Sequence, residues 1–150
     1  MEKVHFKLDL SILTHDGVKE NPFVNISING FPQFGEILDK STTVEFEIEL
    51  EDGKEHYLSI EYFNKDPKID VILGQDGLPI KDKSVTIKDL YINGIIIDFI
   101  SLNLENQLYY ESIDSQGINA TGFEATKLSW NGRTTLKFTT PIYIWLLENL

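Results

Sequence analysis

The chain has no cysteine. Disulfides, thiolate metal centres and cysteine nucleophiles are excluded together, and the composition suits a reducing compartment. Basic residues are scarce: 13 lysines and arginines stand against 24 acidic residues, for a net charge of −11. A field of that sign repels phosphate backbones and anionic lipid. Neither a nucleic acid nor a membrane is therefore expected as a partner. The densest basic stretch, Ile80 to Asp89, interleaves its lysines with aspartates. No apolar run approaches the roughly 18 residues of a membrane span. The opening, Met1 to Leu10, lacks the apolar centre of a signal peptide. The expectation is a cytosolic chain, or one assembled into something built in a cytosol, that no signal peptide exports.

Motifs of chemistry are missing as well. There is no Gly-x-Ser-x-Gly elbow, no Gly-x-x-x-x-Gly-Lys loop and no Gly-x-Gly-x-x-Gly turn. His5, His15 and His56 stand far apart, outside any metal-ligand spacing. A non-enzymatic protein is expected.

What the chain does have is alternation. Val4, Phe6, Leu8, Leu10 and Ile12 are apolar at every second position, and so are Val24, Ile26 and Ile28, then Val44, Phe46, Ile48 and Leu50. A period of two marks a strand with one wet face. Glu51-Asp-Gly53 separates the third run from His56, Leu58, Ile60 and Tyr62, which predicts an antiparallel hairpin of 43–50 with 55–63. Further strands are predicted near 69–73 and 84–92, around the turn Asp76-Gly77. Within 84–92 the apolar phase slips from Val85 and Ile87 to Leu90 and Ile92, so one extra residue, a bulge, is predicted at Lys88-Asp89. Asn93-Gly94 is a two-residue turn signal, and Ile95 to Leu102 reads as a strand covered on both faces. Leu108 to Ile113 offers a strand, Asp114-Ser-Gln-Gly117 a loop, and Asn131-Gly132 a turn ahead of Thr134–Thr140. Ile26-Ser-Ile-Asn-Gly30 echoes Leu90-Tyr-Ile-Asn-Gly94 through shared hairpin chemistry. With 150 residues and no convincing helix, the chain predicts one all-β domain over 1–150, an antiparallel two-sheet β-sandwich of jelly-roll or Greek-key type.

Three groups of residues could carry function. Trp130 beside a turn, and the adjacent Tyr109 and Tyr110, are candidates to stack on the C–H face of a sugar. Asp70, Asp76 and Asp82 flank one turn and offer oxygen ligands to calcium, the one cofactor considered, although the spacing is not that of an EF-hand. The tail, Pro141-Ile-Tyr-Ile-Trp-Leu-Leu-Glu-Asn-Leu150, carries one charge in ten residues. Read as a strand it is apolar on both faces, which makes it core or an interface seating Tyr143, Trp145, Leu147 and Leu150.

The segments around His56–Asp66, Gly74–Ile95 and Leu128–Leu150, above all Trp130-Asn-Gly132 and Trp145 to Leu150, resemble small uncharacterised proteins of large tailed phages, notably those of cyanobacteria. The resemblance implies a structural or accessory component in or on the virion, acting through contacts with other virion proteins or with itself. At the level of fold, the pattern also resembles calcium-dependent carbohydrate-binding modules, which implies a glycan ligand as the alternative.

Overall fold

A computed structural model describes residues 1–15, 17–18, 20–113 and 119–150. The alternating runs form strands β1 (Glu2–Thr14), β2 (Phe23–Ile28), β3 (Phe31–Ile37), β4 (Thr42–Leu50) and β5 (Glu55–Tyr62). A helical turn, α1 (Pro67–Asp70), leads to the short strands β6 (Ile72–Leu73) and β7 (Pro79–Lys81). Then come β8 (Lys83–Ile92), β9 (Ile95–Ile96), β10 (Leu108–Ser112), β11 (Asn119–Thr121), β12 (Lys127–Leu128) and β13 (Gly132–Thr139). Helix α2 (Ile142–Glu148) follows.

One sheet has the order β12-β8-β1-β4, with β9 on β8; the other runs β11-β10-β13-β5-β2-β3. All pairings are antiparallel. The two-sheet all-β architecture is the expected one. The inward residues of both sheets meet in one core. Phe6 of the first sheet stacks on Phe46 at 5.3 Å between ring centroids and meets Phe138 of the second edge-on at 5.8 Å. Edge and offset contacts of this kind add to the area that the rings bury.

The strand directions define two ends. At one lie the start of β8, the β6–β7 ribbon and the link before β13. At the other lie β9, the segment 97–107 and α2. We refer to these as the ribbon end and the helix end.

The predicted bulge is present. Asp9 pairs Asp89 but Leu10 pairs Ile87, so Lys88 is the extra residue. Two of the three Asn-Gly pairs are hairpin turns with positive φ at each residue: Asn29 and Gly30 join β2 to β3, and Asn93 and Gly94 join β8 to β9.

Four expectations are corrected. The runs 43–50 and 55–63 are not partners: β4 pairs β1 and β5 lies in the opposite sheet between β13 and β2. Gly53 does turn with positive φ, but its N–H donates to Thr140 O (2.9 Å), so the turn carries the chain across the sandwich. Alternation places both runs against the core in either arrangement. The run 95–102 is not a covered strand. After β9 the Asp98 carboxylate accepts N–H bonds from Ile100 and Ser101 (3.0 Å each) and bends the chain away, leaving Ile100 76% exposed. The segment 69–73 is divided between α1 and β6. The chain bends at Asn131 ahead of β13, as expected, and passes from one sheet to the other. Asn131 brackets the Lys65 backbone, accepting from its N–H and donating to its carbonyl (2.8 Å each). Gly132 is needed for space: a Cβ there would stand 2.4 Å from the Tyr110 ring.

The tail is a helix and not a strand. Ile142 and Trp145 are buried and Leu146 half-buried, the i, i+3, i+4 stripe that a helix presents to a core. The Ile142 N–H donates to the Glu2 carboxylate, and Asn149 Nδ2 donates to Trp145 O (2.8 Å). The loop expected at Asp114–Gly117 lies outside the described residues.

Candidate functional site

The outer face of the six-stranded sheet is a register of polar and aromatic side chains. One row runs Tyr109, Thr135, Ser59, Ser27 across β10, β13, β5 and β2. The row beside it, toward the ribbon end, is Glu111, Arg133, Glu61, Asn25. Toward the helix end Lys137 pairs with Tyr57. Neighbouring strands lie about 4.8 Å apart, so the two tyrosines stand diagonally across β13, two strands from each other.

Between them is Thr135. Alternation points Thr134 and Leu136 inward, and the Thr134 hydroxyl donates to Ala125 O (2.6 Å). Thr135 therefore faces out, yet it is only 4% exposed. Its neighbours rise around it, and it forms the floor of a trough. Its hydroxyl has no hydrogen-bond partner among the described residues, while no buried side-chain oxygen or nitrogen there is left unpaired. The hydroxyl must then reach the surface of the floor, open to whatever lies above.

Charged groups line the walls. Arg133 lies between Glu61 (3.6 Å) and Glu111 (3.5 Å), and Lys137 stands 4.0 Å from Glu55. Exposed pairs of this kind contribute about 0–1 kcal/mol each. Their effect here is to hold the long side chains in place. The Tyr57 hydroxyl donates to Glu55, which pushes its pKa above the usual phenol value; partial burial and the charges of Glu55 and Tyr109 add to this. At the helix end the trough meets a hollow of about 340 Å³, whose wall includes Glu55, Gln107, Lys137, Glu148 and Asn149. The arrangement offers two phenol rings, hydroxyls, amides and carboxylates on an open surface. Such groups match the C–H faces and hydroxyls of a sugar chain.

Of the three aromatic candidates, only Tyr109 lies on this face. Tyr110 points inward, 3% exposed, and donates to Trp130 O (2.9 Å). Trp130 lies at the ribbon end, where the Lys65 ammonium sits 4.3 Å from its ring centroid and occupies one side of it. Tyr57 is the residue that sequence reasoning missed. It is in phase with Ser59 and Glu61, which the alternation had already turned to solvent.

The three aspartates do not gather. Asp70 is fully buried and paired with the fully buried Lys83 (3.2 Å). Asp82 pairs with the buried Lys65 (2.6 Å) and accepts from the Lys83 N–H (2.7 Å). Asp76 lies exposed between β6 and β7, accepting from the Leu78 N–H (3.0 Å). Among the described residues no three acidic or histidine side chains are placed to hold a metal ion. Lys83 also donates to Glu20 O (2.8 Å) and Asn64 O (2.7 Å), and Lys65 to Ser129 O. Tyr62 donates to Lys83 O (3.2 Å), and burial pushes its pKa up, with Asp70 and Asp82 adding to the shift. These groups close the core at the ribbon end. Each histidine is likewise absorbed locally: His5 on Glu45 (2.7 Å), His15 on the Asp82 backbone, and His56 between Asn29 and Glu51.

The interface candidates divide. Trp145 is core, 3% exposed and edge-on to Phe138 at 6.3 Å, whereas Tyr143, Leu147 and Leu150 are exposed.

No protein-family model matches the chain, and a comparison with curated proteins finds no match either. Among solved structures the chain is similar to one described as "Circular permutation provides an evolutionary link between two families of calcium-dependent carbohydrate binding modules. SeMet form of vCBM60". The two share 11% identity and a TM-score of 0.52, over 89% of each chain. The likeness is one of fold: an all-β, two-sheet module.

Proposed function

We propose that the protein is a non-enzymatic carbohydrate-binding module whose site is the Tyr57–Thr135–Tyr109 trough. The carrying observation is Thr135: a nearly buried outward side chain whose hydroxyl has no partner among the described residues, set between two tyrosines. The similarity in fold to a carbohydrate-binding module supports the reading. Calcium is not part of it. That neighbour is described within calcium-dependent families, but Asp70 and Asp82 are held by lysines and do not fit a cation site.

A glycan array run with calcium and with chelator tests this. Signal on oligosaccharides is expected in both conditions. Tyr109→Ala and Tyr57→Ala should each weaken it roughly 10-fold, the size of about 1.4 kcal/mol, with thermal unfolding nearly unchanged. No signal on any glycan, or binding that neither substitution alters, refutes the site.

A second reading is favoured by the large apolar side chains exposed at both ends of the sandwich: a structural or accessory component of a phage particle, acting through protein contacts. Mass spectrometry of purified particles tests it. Presence there supports the reading, and a chain found only free in the infected-cell lysate refutes it.

A further inference from the structure

At Tyr57 the ladder between β2 and β5 has run out. The last rung joins Ile28 to Leu58, and the chain of β2 then turns at Asn29 with positive φ. Tyr57 is nonetheless satisfied on that side. Asn29 donates its own N–H to Tyr57 O (2.9 Å), and its side-chain oxygen accepts from the Tyr57 N–H (2.9 Å). One residue stands in for the missing rung, half of it with its side chain.

The side-chain half carries a condition. Because Asn29 Oδ1 takes the Tyr57 N–H, the amide nitrogen points the other way, to His56 Nδ1 at 3.0 Å. An amide nitrogen only donates. Nδ1 is then the accepting nitrogen, and Nε2 carries the proton and donates to Glu51 O (3.0 Å). The imidazole, 4% exposed, is neutral in this arrangement and has both nitrogens in use. A second proton, on Nδ1, would face an N–H of Asn29. Turning the amide over moves the conflict to the Tyr57 N–H. The Asn29–Tyr57 side-chain bond and a protonated His56 therefore exclude each other.

The surroundings admit that proton. The Glu49 and Glu51 carboxylates and the Lys54 and Met1 amines line the hollow beside His56; Lys54 pairs with Glu51, and the Met1 amine with Asp52 (3.1 Å). Both amines are matched by carboxylates, with Glu49 in addition, so the local charge does not repel a cation. From β13 and its end the groups against the ring are uncharged: Phe138, at 5.6 Å between centroids, and the Thr140 hydroxyl, 3.4 Å from Nε2, which donates to Glu51 O.

We propose that Asn29 and His56 position Tyr57 for binding, given that the Tyr57–Thr135–Tyr109 trough is the glycan site. Neutral His56 orients the Asn29 amide, the amide fixes the Tyr57 backbone, and acid releases it. Glycan binding therefore weakens as pH falls through the range in which histidine charges, about pH 8 to about pH 5.

Two measurements test this. In proton–nitrogen correlation spectra of the free protein, the Tyr57 backbone amide and the Asn29 side-chain amide should shift across that range with the same midpoint as the His56 ring. The glycan array, repeated at both ends of the range, should lose signal roughly 5-fold at the acid end, the worth of one hydrogen bond. Asn29→Gly keeps a residue suited to positive φ and removes the amide. It should bind as weakly at the alkaline end as the wild type does in acid, with no response to pH. His56→Asn offers an oxygen to the Asn29 amide at every pH and should bind as the alkaline wild type does throughout. Thermal melting at both ends checks that each protein is folded, and where a variant is not, the wild-type spectra decide. A His56 ring that titrates while the Tyr57 amide stays still overturns the proposal, as does a ring that never titrates in the range. Glycan binding that Tyr57→Ala weakens but pH leaves unchanged overturns it alone. If no glycan binds at either end, the trough reading fails by itself, and the spectra decide whether Asn29 holds Tyr57 through His56.

Discussion

Replacing Lys83 with methionine isolates the buried cluster that closes the ribbon end. The Lys83 ammonium is fully buried and has three acceptors: Glu20 O at 2.8 Å, Asn64 O at 2.7 Å and Asp70 Oδ2 at 3.2 Å. Methionine fills much of the same volume without the charge. Asp70, which also accepts from the Asp66 N–H (2.8 Å), then loses its contact with the Lys83 cation. Breaking such a pair from one side costs about 3–5 kcal/mol. The two carbonyls that lose a donor cost about 1 kcal/mol each, and part of this overlaps with the first figure. The expected loss is about 4 kcal/mol, a large share of the roughly 5–15 kcal/mol that holds a domain together. Urea unfolding at neutral pH, followed by tryptophan fluorescence, reads it directly. Adding Asp70→Leu removes the buried carboxylate and should recover stability to within about 1–3 kcal/mol of wild type, the remainder being the unmet carbonyls. An unchanged denaturant slope is expected, because these groups tie both sheets. A single variant within about 1 kcal/mol of wild type, or a double variant no better than the single, refutes the reasoning.

The helix reading of the tail predicts a contrast within one turn: Trp145→Ala should cost about 3–5 kcal/mol in the same unfolding assay, and Leu147→Ser less than about 0.5 kcal/mol. Equal losses would return the segment to a two-faced strand. The Tyr57 phenol is held above its ordinary value first by its hydrogen bond to Glu55. A group whose pKa is raised on folding contributes stability below the unfolded value, and that contribution is lost as pH rises through the folded one. Glu55→Ala should lower the Tyr57 titration, read by phenolate absorbance against a Tyr57→Phe reference, and an unmoved titration refutes the contact.

Much of the fold was legible because period two has a single cause. Val4 to Ile12 alternates since one face of β1 meets the core and the other meets water, and the same holds for β2, β4 and β5. The slip at Lys88 and the Asn-Gly turns are equally local, as they depend on backbone angles and on residue counts within one hairpin. Half of the candidate site could be read in the same way: Tyr109 and Tyr57 are both in the outward phase. What sequence could not show was that they flank Thr135, because that needs the order β10-β13-β5.

Local patterns established which residues are wet and which are dry, strand by strand, together with the acidic balance that disfavours polyanionic partners. They left open which sheet a strand joins. Glu51-Asp-Gly53 turns the chain equally well within a sheet or between sheets, and the choice rests on Phe6 packing against both Phe46 and Phe138. They also left open the form of Ile142 to Glu148, since a segment apolar on every side satisfies either period; the Glu2 carboxylate at its start and the Phe138 ring beneath Trp145 make it a helix. The same holds for Asp70 and Asp82. Nothing near them in the chain names Lys83 and Lys65 as partners, and the partner is what ties each to a buried lysine. Patterning is a short-range property of solvation, whereas sheet membership, helix form and charge pairing depend on energies between residues far apart in the chain.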